Sequence, residues 1–260
     1  MGTVWSEDLG GCIGDGSGDI NLDGCVQLND LLDVLSAYGD CGAEESVWQC
    51  GDPLEYQGHE YATVQIGEQC WFAENLRNAN FRNGDPIPTN LDSGAWSETS
   101  EGATSVYDDN DENLEVFGRL YNFFVVVDPR SICPSGWRVP SDEDVIQLES
   151  ELGMSEEVTA LKGFRGGILG QEVKSITGWS GTGNGTNASG LNVYPAGNRY
   201  HTGAYLSMAE VGSWWTSTVN ADNDSRAWYR SVSYDDLGIY RESDASKNIG
   251  FSIRCIKDAE

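Results

Sequence analysis

The chain has 260 residues, which admits one large domain or a small module followed by a domain of roughly 200 residues. Acidic side chains outnumber basic ones 42 to 15, a formal net charge of −27. That charge repels phosphate backbones and anionic headgroups, so nucleic acid and membrane surfaces are excluded as partners, and without a run of 18 apolar residues no membrane insertion is predicted.

Residues 1–11 form an N-terminal segment without the basic and apolar stretches of an export signal. Residues 19–30 then place oxygen donors at the spacing of a twelve-residue calcium loop. Asp19, Asn21 and Asp23 fill positions 1, 3 and 5, Gly24 sits at the bend, the Cys25 carbonyl is at position 7, Gln27 at position 9, and Asp30 closes the loop. A hard cation needs several oxygens converging on one centre, and alternate residues of a tight loop supply them. Asp in place of Glu at the last position makes a bidentate grip harder to reach, and residues 10–18 are too glycine-rich for a partner helix. Leu28, Leu31, Leu32, Leu35 and Tyr38 recur at helical spacing, so a small N-terminal calcium loop-helix module is predicted over residues 12–42, with Ca2+ as its cofactor. Residues 43–49 read as a linker.

Seven cysteines occur with no Cys-x-x-Cys pair and no histidine cluster, a usage that favours disulfides and an extracellular or cell-surface setting over zinc. The expected pairs are Cys12 with Cys41, Cys50 with Cys70, and Cys133 with Cys255, although spacing alone leaves the connectivity open. Cys25 is then the odd thiol, either free or open to an intermolecular link.

From Cys50 onward short strands, two helices and long glycine-rich loops are expected. Residues 61–66 alternate as a strand, and residues 69–76 carry Trp71 and Phe72 into the core. Residues 118–127 fit helix or strand, with length favouring helix. Ser141 and Asp144 form a capping box for a helix through Val145, Leu148 and Leu152 that ends at Gly153. Residues 163–205 read as ordered loops. Strands return at residues 213–218, 227–234, 237–241 and 250–256, between turn clusters at residues 220–224, 235–236 and 244–248.

The loop, its Leu-Leu helix and the following Ala-Tyr-Gly resemble one half of a dockerin repeat, which implies calcium binding and a cohesin-like or self partner. Residues 61–76 (YATVQIGEQCWFAENL), 118–122 (GRLYN) and 133–141 (CPSGWRVPS) resemble the Fibrobacter succinogenes major paralogous domain. Residues 194–197 (YPAG), 214–218 (WWTST) and 250–255 (GFSIRC) continue it, so the resemblance covers residues 50–258. A more distant similarity to formylglycine-generating-enzyme-like domains runs through residues 137–144 and 248–251. Together these imply an α+β, C-type-lectin-like fold: a twisted antiparallel sheet flanked by helices, with paired chain ends. Cys133 and Cys255 fall at family positions of structural type, so the resemblance supplies no oxidase cysteines, and the sugar-gripping Glu-Pro-Asn or Gln-Pro-Asp triplet is missing.

His59 and His201 are the only histidines, and no serine or cysteine sits in a nucleophile setting, so a non-enzymatic role is expected. The acidic run at residues 108–113 could hold a second calcium, though solvated acidic loops are commoner. Trp214, Trp215, Trp228, Tyr229, Tyr234 and Tyr240 lie near Arg226, Arg230 and Arg241, the residue types that carry binding hot spots. Alternation sends about half inward. Trp214 and Trp228 are assigned to the core, and Trp215, Tyr229, Arg230, Tyr240 and Arg241 to a surface for a glycan or protein ligand. The leading expectation is a calcium-binding adhesion protein; the alternatives are an assembly subunit docking through the half-dockerin and a component of polysaccharide degradation.

Overall fold

Strand-forming segments rich in β-branched and aromatic residues, broken by turns at glycine and asparagine, set the architecture of the chain. A computed structural model describes residues 48–258. The predicted calcium loop, its helix, the Cys12–Cys41 pair and Cys25 lie outside the described residues.

Two hairpins open this region. β1 (Leu54–Tyr56) pairs with β2 (His59–Tyr61), and β3 (Thr63–Ile66) pairs with β4 (Gln69–Phe72). Gly67 takes φ +59 at the first of the two residues that turn β3 into β4, where a side chain would be strained. Short elements follow: α1 (Ser93–Glu98), β5 (Thr104–Ser105), α2 (Leu114–Phe117), β6 (Leu120–Tyr121), α3 (Phe123–Val126) and β7 (Trp137–Arg138). Residues 118–127, where length favoured helix, therefore divide into a strand and a one-turn helix. Asn122 makes the switch, because its side chain accepts from the Val125 amide as an N-cap and also from the Ala103 amide.

α4 (Asp142–Glu151) has the predicted capping box of Ser141 and Asp144, and Gly153 follows its end at φ +99. After it come α5 (Glu156–Thr159), β8 (Gly163–Arg165), α6 (Leu169–Val173), β9 (Asn198–Arg199) and β10 (Tyr205–Leu206). The region expected as loops thus also holds an edge strand and a helix. β11 (Val211–Val219), β12 (Arg226–Ser233), β13 (Ile239–Ser246) and β14 (Ile256–Lys257) complete the chain.

The fold is α+β and mainly antiparallel. Two four-stranded sheets dominate, in the orders β11-β12-β13-β8 and β3-β4-β14-β7. α4 covers the inner face of the first: Val145 and Leu148 join Trp214, Val232 and Ile239 in one apolar cluster that continues to Trp71 and Ile256 of the second. Among the described residues six short α-helices replace the two expected, and α4 is the longest at ten residues.

In the second sheet, late chain is fastened to early chain. Ile256 sits opposite Trp71 on one side and Arg138 on the other, so the last strand lies between an early and a middle segment of the described region. The Cys50–Cys70 and Cys133–Cys255 disulfides are both formed as expected. Residues 250–256, however, are not one strand. Phe251 donates to Tyr121, Ser252 to Ser213, and Ile253 accepts from Leu76, so the backbone partner changes every residue or two and no ladder builds.

Helix α6 passes close to the β12–β13 turn, and a Cβ on Gly170 would lie 2.1 Å from the Gly238 carbonyl oxygen. Backbone on both sides leaves little room to relax. Gly170→Ala should lower unfolding free energy by about 1–3 kcal/mol in urea titration despite alanine's better helix propensity; a stabilised variant would contradict this packing.

Candidate ligand-binding face

Burial alternates along β13, although it carries one extra residue relative to β12 between Glu242 and Ala245. Ile239, Arg241, Ser243 and Ala245 are buried, while Tyr240, Glu242 and Ser246 are partly exposed and Asp244 is exposed. Each face has a different chemistry.

The inner face meets α4 through charge. Asp142 and Glu149 are seven residues apart, two helical turns, so both point to the sheet. Arg230 of β12 donates through Nη1 to Asp142 at 2.6 Å and through Nε to Glu149 at 2.8 Å. Arg241 of β13 donates through Nη2 to the other Asp142 oxygen at 2.5 Å, and Arg165 of β8 reaches Glu149 at 2.6 Å. Three guanidinium groups thus surround two carboxylates, all buried. Burial by itself would raise the Asp142 carboxyl, but the hydrogen bond from Arg241 and the charge of Arg230 outweigh it and hold the group below the ordinary carboxylate range. Burial, reinforced by the neighbouring arginines, pushes Arg165 down to about 10 despite Glu149.

Three of the five predicted ligand residues therefore belong inside. Arg230 is 0% exposed, Arg241 is buried, and Trp215 is 0% exposed, wedged between Phe123 and Phe251 with Nε1 donating to the Tyr121 carbonyl at 2.7 Å. The arginines are not surface anchors, because their carboxylate partners lie 81 to 99 residues away in sequence. Trp214 is in the core as expected. Trp228 is only half-buried, since the register shifts between Ala227 and Tyr229; Arg241 and Lys162 cover its ring at 4.1 and 5.0 Å.

Tyr229 and Tyr240 do reach the outer face. Tyr229 stacks on Phe251 at 5.0 Å and meets Tyr240 at 6.0 Å, and Tyr240 packs against Phe164 at 4.9 Å. Phe164, on β8, is 46% exposed. It was absent from the predicted set because residues 163–165 read as loop.

Past Glu242 and Asp244 the strand reaches partly exposed Ser246, which borders an open cleft of about 350 Å³. Ser93 and Ser97 of α1, His201, Thr202 and Asn248 complete its polar lining. The cleft walls are fixed from behind: Asn248 accepts through its carbonyl from Trp96 Nε1 at 2.7 Å, and its side chain donates to the Thr99 carbonyl at 2.6 Å. Buried Arg199 stacks over Trp96 at 4.3 Å and donates to the Leu91 and Gly203 carbonyls. Nothing in the sequence pattern joined residues 93–97, 201 and 246–248, because no local periodicity links them.

Among the described residues no group of three or more His, Cys, Asp or Glu is placed to hold a metal ion, the acidic run at residues 108–113 included. Asp109 there accepts a hydrogen bond from Tyr205. No helix among the described residues is long and apolar enough to cross a membrane.

The family model for the Fibrobacter succinogenes major domain matches residues 64–257. Neither the curated proteins nor the solved structures gave a match to the chain.

Because the folded-state value of Asp142 is depressed, its stabilisation is complete above the unfolded-state value of about 3.9 and is lost as pH falls through the folded-state value. Asp142→Asn should reduce unfolding free energy at pH 7 by about 3–5 kcal/mol, since two buried guanidinium groups lose their counter-charge, and should flatten the loss of stability below about pH 4. Urea melts of both proteins at pH 7 and pH 3 test this; identical acid limbs would refute it.

Proposed function

The chain belongs to the Fibrobacter succinogenes major domain family, and we propose that it is a secreted or cell-surface, calcium-binding and non-catalytic binding protein whose C-type-lectin-like domain offers a preformed face to a glycan or protein. The observation that carries this reading is the row of Phe164, Tyr240 and Tyr229, exposed or half-buried on a sheet whose opposite face is locked by ion pairs. Aromatics held in place by their neighbours lose little freedom on binding, so their contact area converts efficiently into affinity. Two histidines in 260 residues and no nucleophile setting favour binding over turnover. The two disulfides suit an oxidising, extracellular setting. The pairing of β14 with β4 is in keeping with the lectin-like topology.

The calcium site rests on the spacing of Asp19, Asn21, Asp23, Cys25, Gln27 and Asp30 alone. A bound calcium would offset the repulsion among three carboxylates that otherwise opposes closing the loop.

Scanning calorimetry with a chelator tests the metal: a transition belonging to residues 12–41 should fall in temperature while that of residues 50–258 stays in place, and an unchanged trace would remove calcium. A glycan array run with and without calcium, alongside an assay for newly released reducing ends, tests the function. Retention without release is expected; release abolished by removing one carboxylate would convert the protein into an enzyme.

A further inference from the structure

We infer that the outer stripe of β13, from Tyr240 through Glu242, Asp244 and Ser246 to the cleft at Asn248 and His201, binds a stretch of uncharged polysaccharide. This ligand class presupposes the binding reading above and narrows it.

Tyr240 and Glu242 lie on one face about 6.7 Å apart, and the extra residue that β13 carries between Glu242 and Ala245 then bends the strand on through exposed Asp244 to Ser246 at the cleft. That geometry suits a chain laid along the strand. Tyr240 is braced on both sides, by Phe164 and Tyr229, and offers a flat apolar surface of the kind that packs on the C–H face of a sugar ring. Beyond it come carboxylates, a hydroxyl, an amide-bearing side chain and an imidazole. These groups exchange hydrogen bonds with hydroxyls, and carboxylate acceptors make the stronger ones.

Charge selects among the candidates. The molecule as a whole carries −27, which repels a polyanion. Locally Lys162 meets Glu242 at 2.7 Å and neutralises one of the stripe's two carboxylates, so the pull on a polycation is weakened. An uncharged, hydroxyl-rich chain is what remains. Shape argues the same way. A standard protein partner covers about 800 Å² a side around an apolar centre, whereas this stripe is one strand wide and only its Phe164 end is apolar. The cleft of about 350 Å³ is at the small end of ligand pockets, which run from about 300 to 1,000 Å³, and would take a unit that leaves the line of the strand.

The test is affinity electrophoresis of the full chain through gels containing xylan, mannan, mixed-linkage β-glucan or, as the anionic comparison, polygalacturonate. At least one neutral polymer should retard the wild type. Tyr240→Ala should weaken that retardation about five- to tenfold, as expected for losing roughly 1 kcal/mol of ring contact, and Tyr240→Phe should largely restore it. Ser246→Arg, which adds bulk at the surface without removing a core contact, should also weaken it, with thermal melts confirming that each variant is folded. Absence of retardation by every neutral polymer, retardation by polygalacturonate alone, or equal retardation of wild type, Tyr240→Ala and Ser246→Arg would overturn the inference. Sedimentation supplies the remaining outcome: a wild-type dimer that Tyr240→Ala converts to monomer would assign the stripe to self-contact, ending the polysaccharide inference while the broader binding reading stands.

Discussion

Five buried charges fix the orientation of the main sheet. Removing Arg165, Arg230, Arg241, Asp142 and Glu149 from water carries a penalty of several kcal/mol per ion, and their mutual attraction offsets it only because the geometry is close and hydrogen-bonded. Such a cluster adds less to net stability than an apolar core of equal volume would. Its effect is on register. A slip of one residue in β12 or β13 would turn Arg230 and Arg241 to solvent and drive Tyr229, Tyr240 and Glu242 against α4, leaving Asp142 and Glu149 buried without counter-charges. The wrong register is therefore penalised electrostatically as well as by lost apolar contact, and the face that Tyr240 presents is a consequence of where Arg241 must go.

A second constraint holds the sheet containing β14. Arg254 is fully buried and has no carboxylate partner among the described residues; its guanidinium donates instead to the Phe72, Leu191 and Asn192 carbonyls and to Asn75 Oδ1 at 2.9 Å. Burial pushes it down to about 9, yet it stays charged at neutral pH. Backbone dipoles from two separate segments thus converge on one cation next to the Cys133–Cys255 bridge. The bridge closes a loop of 122 residues and restricts the unfolded chain most where the folded chain makes its longest-range contacts. Residues 250–256 tie together segments that would otherwise have few contacts in common, which is why they form bonds to many partners rather than a strand with one.

Local signals were legible in the sequence. The capping box at Ser141 and Asp144 needs only four residues to be recognised, and the strands of residues 213–218 and 227–234 declare themselves by alternation. The two described disulfides are among the expected pairs, although spacing alone left the connectivity open. What escaped depends on contacts between distant segments. β8 is three residues in a glycine-rich stretch, and it is a strand because β13 offers it an edge. Residues 118–127 change from strand to helix at Asn122, whose amide oxygen serves two backbone donors at once, one of them 19 residues upstream. For the candidate site, three of the five residues expected at the surface are buried, since arginine next to tyrosine looks the same whether the arginine faces water or a carboxylate 99 residues away.

The aromatic residues show why composition cannot separate packing from presentation. Phe123, Trp215, Phe251, Tyr229, Tyr240 and Phe164 form a continuous series of ring contacts, from fully buried at one end to nearly half-exposed at the other. The same ring chemistry fills the core at Trp215 and reaches solvent at Phe164, with only distance from α3 to decide between the two roles. Because each ring is held by the one before it, the exposed end inherits the rigidity of the buried end. A surface built this way needs no separate support, and the density of tryptophan and tyrosine between residues 214 and 240 reflects one structure serving both purposes.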